Sequence, residues 1–168
     1  MKYIVGIGNY ARGDDGIGLH LVEALSAREP APDYVALELK NDALGLLSYL
    51  EPTTQRILVV DCVKMGDKPG NWRVFSPEEV TSVKQVALAT THNGDLLQIL
   101  ELARATGYTI PPLQILGIEP ACMEPSMELS TTLQERFEEY LETALQTIRD
   151  EDHFHDHGRA TATAEHRK

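Results

Sequence analysis

The chain has 168 residues, 42% of them hydrophobic, and a formal net charge of −11. That length suits one domain with a sizeable core, and that composition excludes a disordered chain. The acidic balance, with no basic stripe, excludes a nucleic-acid binder and disfavours an anionic membrane or a polyphosphate ligand.

Residues 3–8 form a short apolar run closing in glycines, which predicts a buried strand. Ile17, Leu21, Val22 and Leu25 recur at helical spacing, so 17–28 reads as a helix ended by Pro30 and Pro32. Residues 34–39 predict a second strand, and 42–50 a short helix closed by Pro52. The run 56–61, Arg-Ile-Leu-Val-Val-Asp, is the clearest buried strand, as expected of a parallel strand covered on both faces. Pro69-Gly70 marks a turn, 72–75 an edge strand packed on the core by Trp72 and Phe75, and 84–89 a further extended segment. Residues 94–106 predict a helix with Leu96, Leu97, Leu100 and Ala103 inward, and 113–118 a late strand.

A last helix starts near Ser130, where Thr131 and Gln134 sit at capping-box spacing. Leu133, Phe137, Tyr140, Leu141, Ala144, Leu145 and Ile148 give it one long apolar stripe, while Glu135, Glu138, Glu139 and Glu142 read as a solvated face. Strands alternating with helices predict an α/β three-layer sandwich, a mainly parallel twisted sheet covered by helices on both faces. One domain is expected over residues 1–150, followed by a disordered His-rich tail over 151–168.

Cys62 and Cys122 form no CxxC pair, so neither a disulfide framework nor a thiolate zinc site is expected. The first residues run straight into a strand pattern, and no apolar run approaches a membrane span. A reduced, cytoplasmic protein without membrane or nucleic-acid partners is expected. A monomer is expected too, because no long exposed apolar stripe is evident.

Open α/β sheets bind ligands beyond the C-terminal ends of their strands. There the sequence places Gly6-Ile7-Gly8-Asn9 with Gly13-Asp14-Asp15-Gly16-Ile17-Gly18, then Asp61, then the loop Thr90-Thr91-His92-Asn93-Gly94-Asp95. Carboxylates and an imidazole on one crevice are fit ligands for a borderline divalent metal such as nickel, zinc or iron. A helix N-terminus biases His92 towards the neutral imidazole that a metal requires. Three protein ligands would leave coordination positions open. Taken singly, Asp61 also reads as a turn residue, His92 as a cap, and Asp14 and Asp15 as complements of the helix dipole.

These motifs together resemble the hydrogenase maturation proteases, which trim the C-terminal extension from the large subunit of [NiFe] hydrogenases. The glycine-rich opening, Asp61 after Leu-Val-Val, Thr-Thr-His92 before a Leu-rich helix, Gly117-Ile118-Glu119-Pro120 and Leu129-Ser130 keep the family's order over about residues 2–148. The resemblance implies that Asp15, Asp61 and His92 are the catalytic and metal-contacting residues, with Asp14, Gly16 and Asn93 shaping the crevice. It implies no permanently bound cofactor. The metal would be nickel presented by the substrate, a nickel-loaded large-subunit precursor cut shortly beyond its last cysteine motif. Nickel would place the scissile segment against the carboxylates. Hydrolysis would then use a metal-polarised carbonyl or a carboxylate-activated water, that is, metal-assisted or aspartic-type chemistry. Asp15 stands where some members carry Glu, Tyr10-Ala11-Arg12 replaces a more aliphatic stretch that faces the substrate, and Cys62 after Asp61 is unusual.

Three other readings compete. Gly6-x-Gly8-x-x-Ala11 with Glu38 fits a loose dinucleotide fingerprint, although two carboxylates before the helix repel phosphate. Cys62 with His92 and a carboxylate would make a cysteine hydrolase, against the commoner state of a free cysteine as a small buried hydrophobe. His153, His155, His157 and His166 would make the tail a nickel-binding or chaperone-like module, against a solvated tail. Met123 and Met127, between the late strand and the last helix, read equally as substrate contacts and as core filling.

Overall fold

The computed structural model describes residues 1–28, 33–79 and 93–150. The expectations for 84–89, for His92 and for the tail lie outside the described residues. Among the described residues the elements run β1 (Lys2–Ile7), α1 (Ile17–Ala27), β2 (Val35–Lys40), β3 (Arg56–Cys62), β4 (Trp72–Phe75), α2 (Asn93–Ala105), β5 (Leu113–Ile118), α3 (Thr131–Glu135) and α4 (Phe137–Arg149). A 3-10 turn, Gly13–Gly16, leads into the first helix, which begins at Ile17 as expected, and a second 3-10 stretch, Ala43–Tyr49, stands in place of the short helix expected at 42–50.

The sheet order is β2-β1-β3-β5-β4. The first four strands run parallel, and β4 pairs antiparallel with β5 at the edge. The α/β sandwich predicted from alternation is thus the observed fold. Every residue of β3 is buried, as a central strand covered on both faces requires.

Alternate side chains of the strands enter two cores. On one face Ile4, Leu58, Val60, Leu116 and Ile118 meet Ile17, Leu21, Val22 and Leu25 of α1 and Tyr140, Leu141, Ala144 and Ile148 of α4. On the other, Val5, Ile7, Ile57, Val59 and Ile115 meet Leu46 and the α2 residues Leu96, Leu100 and Ala103. The inward set expected for α2 is therefore the buried set. At the far end of the sheet, buried Arg56 donates to the carbonyls of Asp150 at 2.9 Å and Ile148 at 3.4 Å, satisfying acceptors at the end of α4.

The single long helix expected after Ser130 is two, broken at Arg136, whose backbone leaves the helical region at φ −106° and ψ 7°. Its guanidinium donates to the carbonyl of Gly70 and to Asn71 Oδ1, each at 3.0 Å, and lies 4.4 Å from the Trp72 ring centre. Those contacts, with Tyr140 Oη on the same Gly70 carbonyl at 2.8 Å, seat the turn before β4. The helical cap is Ser130 and not Thr131: Leu133 N donates to Ser130 Oγ at 3.4 Å, and Gln134 Nε2 turns to the Leu129 carbonyl at 2.6 Å. Trp72 rests edge-on against Tyr140, consistent with the packing expected for this edge strand.

The docking of α1 on the sheet decides where the site forms. A Cβ at Gly18 would lie 2.2 Å from the Val60 carbonyl oxygen and 2.6 Å from that of Ile7. A Cβ at Gly6 would lie 2.3 Å from the Gly18 oxygen. Helix and strands touch backbone to backbone here, which only glycine allows. Gly18→Ala is expected to destabilise the fold by about 3 kcal/mol through overpacking. Gly66→Ala, in open space at φ +72°, costs about 1 kcal/mol. Urea unfolding of both variants reads the difference, and equal small losses would contradict the close approach.

Candidate active site

The loop from Gly8 to Gly16 crosses the C-terminal ends of β1 and β3. Gly8, at φ +142°, lets Asn9 N reach the Asp15 carbonyl at 3.2 Å. A Cβ at Gly8 would lie 1.9 Å from that same oxygen. Asp14 and Asp15 are both buried, at 0% and 1% exposure, so neither is a solvated dipole complement.

Asp14 is a structural anchor. Its Oδ2 accepts from Ala121 N at 2.8 Å, Cys122 N at 2.9 Å and Ser130 Oγ at 2.9 Å, and its Oδ1 accepts from Ser130 N at 2.7 Å. Its own N–H donates to the Cys122 carbonyl at 3.0 Å. The loop after β5 is thereby tied to the loop after β1, and the Ser130 hydroxyl carries the tie into the N-terminus of α3. Asp14 thus shapes the crevice from beneath, and Gly16 admits the Asn9 carbonyl 3.3 Å from where its Cβ would stand.

Asp61 is fully buried, level with Gly117 in the sheet, and its Oδ1 accepts from Cys62 N at 2.8 Å. Around Cys62 the acidic groups converge. Burial first, then the charges of Asp61, Asp15, Asp14 and Glu119, push its thiol far above the usual range. The structure therefore brings Asp15 and Asp61 to one end of the sheet. Among the described residues no three His, Cys, Asp or Glu side chains form a metal-ligand cluster, and the expected third ligand, His92, lies outside them. Asn93 opens α2.

Glu119 is a contributor that only the Gly-Ile-Glu-Pro motif signalled. It is 8% exposed, and its Oε2 accepts from Met65 N at 2.6 Å and Asp67 N at 3.2 Å. Its backbone bonds to Asn71 and Gly70, at 2.8 and 2.9 Å, close the loop 63–71 around it. One carboxylate thus fixes the loop that leaves β3 after Cys62.

A cavity of about 340 Å³ lined by Pro77, Arg104, Pro111 and Leu113 lies at the N-terminal end of β5, the opposite end from this crevice.

A family profile for hydrogenase maturation proteases matches residues 19–147, a span holding Asp61 and beginning just past Asp15. The chain belongs to the hydrogenase maturation protease family. The hydrogenase 2 maturation protease of Escherichia coli (strain K12) is 29% identical over 148 residues, covering 88% of this chain and 90% of that one. The hydrogenase 3 maturation protease of the same strain is 33% identical over 119 residues, covering 68% and 69%. The solved hydrogenase maturating endopeptidase HybD of E. coli superimposes with a TM-score of 0.76 at 27% identity, over 88% of this chain and 91% of that one. This maturation protease is accordingly a hydrogenase maturation endopeptidase, a peptide hydrolase.

Two of the rival readings, the dinucleotide site and the cysteine hydrolase, lose their geometry. In the glycine loop Gly8 N bonds the Lys40 carbonyl, Ala11 N the Asn9 side chain, Arg12 N the Asn9 carbonyl and Gly13 N the Ser126 carbonyl. Those donors are spent inside the protease and form no phosphate cradle. Glu38, the would-be ribose acid, accepts from Tyr10 Oη at 3.0 Å. Cys62 is 3% exposed with its thiol held protonated, the reverse of a nucleophile. Among the described residues no helix is long and apolar enough to cross a membrane.

Asp14→Ala removes a buried carboxylate from its donors and is expected to cost about 3–5 kcal/mol in urea unfolding. Ser130→Ala, which loses a cap and one donor, costs about 1 kcal/mol. A loss below that of Ser130→Ala would deny Asp14 its anchoring role. In the native protease iodoacetamide should modify exposed Cys122 and spare Cys62, as peptide mass mapping reads directly, and rapid modification of Cys62 would reopen the thiol reading.

Proposed function

We propose that this protease removes the C-terminal extension of a [NiFe] hydrogenase large-subunit precursor after nickel insertion, and that it recognises the substrate's nickel through Asp15, Asp61 and His92. The observation that carries the reading is the convergence of Asp15 and Asp61 beyond β1 and β3. Two buried carboxylates at one strand end, with further negative charge at Asp14 and Glu119, favour a cationic ligand. The connection from the end of α2 to the start of β5 fixes the direction of α2, so α2 begins at the same end of the sheet, directly after His92. Carboxylate and imidazole together suit nickel.

In this reading nickel belongs to the substrate, and the protease supplies the receptor. The central strand β3 holds Asp61, and the loop anchored by Asp14 holds Asp15. Nickel held between them presents the adjoining peptide at a fixed distance, so an unloaded precursor lacks the group that orients it. The names of the two E. coli relatives, maturation proteases of hydrogenases 2 and 3, support the substrate class.

The test is cleavage of a purified large-subunit precursor, with and without inserted nickel, read by intact mass. A short C-terminal peptide should leave only the loaded form. Equal cleavage of both forms would remove nickel recognition, and no cleavage of either would remove the substrate. Asp15→Ala, Asp61→Ala and His92→Ala should each lower cleavage by about 100-fold or more while circular dichroism shows the fold retained. Wild-type rates in any of them would strike that residue from the mechanism.

A further inference from the structure

The loop 121–130 combines two properties that rarely coincide. Its backbone is firmly tied, yet most of its side chains are exposed. Ser126 bridges Arg12 in parallel, with Ser126 N on the Ala11 carbonyl at 3.1 Å and Gly13 N on the Ser126 carbonyl at 2.8 Å. Ser126 Oγ bonds both the N–H and the carbonyl of Glu128, at 3.0 and 3.1 Å, and Asp14 grips Ala121, Cys122 and Ser130. Despite this, Ala11, Ala121, Cys122 and Pro125 are exposed, and Met127 is 65% exposed, the most of any large hydrophobic residue among those described.

A methionine with that exposure contributes nothing to the core, and an ordered loop needs no apolar tip for its own stability. Met123 does pack against the core, the filling role that the sequence left open for both methionines, and Met127 does not. Ordered exposed apolar residues bind partners at little entropic cost, and methionine adapts to varied surfaces. The loop is continuous with the active site, because Asp14 is gripped by it and Asp15 is the next residue.

We infer that Met127 and the Arg12–Ser126 bridge form a docking surface for an apolar segment of the hydrogenase precursor beside the scissile peptide, and that this surface helps to select the partner hydrogenase. The inference rests on the precursor being the substrate. It adds a second contact, independent of nickel, that acts on binding and leaves the carboxylates in place.

The test compares wild type with Met127→Asp in steady-state cleavage of the nickel-loaded precursor. The substitution sits on an exposed tip, so the fold tolerates it. KM should rise about tenfold or more with kcat changed little, the signature of lost docking. Tyr108→Asp serves as control. Tyr108 is 44% exposed in the connection from α2 to β5, at the far end of the sheet, and should leave KM unchanged. An unchanged KM in Met127→Asp, or an equal rise in Tyr108→Asp, overturns the surface. Should wild type fail to cleave, the substrate reading falls. Docking is then judged alone by isothermal titration of the same precursor, where about tenfold weaker binding to Met127→Asp sustains it. Equal affinity, or no binding to wild type, overturns it.

Discussion

The structure around the active site depends on one buried carboxylate, that of Asp14. A charge with no access to water is tolerated only when its oxygens are bonded, and Asp14 accepts from three backbone N–H groups and one hydroxyl. Successive residues of a 3-10 turn point about 120° apart. Asp14 is committed to the loop after β5, and Asp15 follows it in the same 3-10 turn beside the end of β3. The anchor therefore gathers distant parts of the chain at one end of the sheet and holds the turn that carries its neighbour.

The glycines supply the other half of the geometry. Gly6 and Gly18 let α1 rest on β1 and β3 with no side chain between them, and Gly8 lets the loop fold back onto Asp15. The same spacing of small residues serves dinucleotide binding when the loop's N–H groups face outward. Here those groups are consumed by Asn9, Lys40 and Ser126, so the glycines bring a carboxylate down to the sheet instead of a phosphate. The distinction lies in where the hydrogen bonds go, which no spacing of glycines encodes.

That explains which parts of the fold and site were legible in the sequence. Periodicity located the strands and the helices α1 and α2 within a residue or two, because burial on one or two faces leaves a pattern in adjacent residues. Asp61 was legible as the polar residue that follows the apolar run of residues 57–60. The division of labour between Asp14 and Asp15 was not, since two adjacent aspartates before a helix look alike until their partners, 107 to 116 residues away, are in view. The break at Arg136 stayed hidden for the same reason: its cause is Gly70, Asn71 and Trp72 across the fold. Helical pattern alone did not separate a 3-10 turn from an α-helix at Ala43–Tyr49, because a short apolar run satisfies both.

The two central carboxylates are supported in different ways, and the difference bears on recognition. Asp61 stands on a strand flanked by β1 and β5, and one of its oxygens is already directed by the N–H of Cys62. Asp15 stands on a turn held by backbone contacts to Asn9 and Arg12 and by the neighbouring anchor. In both cases the support comes from protein groups and is complete once the chain has folded. The placement of both carboxylates is therefore set during folding, in the manner of a preorganised receptor. On the proposed reading, a nickel ion arriving on a precursor meets carboxylates already placed. A precursor lacking the ion has nothing for them to hold. Discrimination between loaded and unloaded precursors then follows from electrostatics built into the turn and the strand, with no conformational change required of the protease.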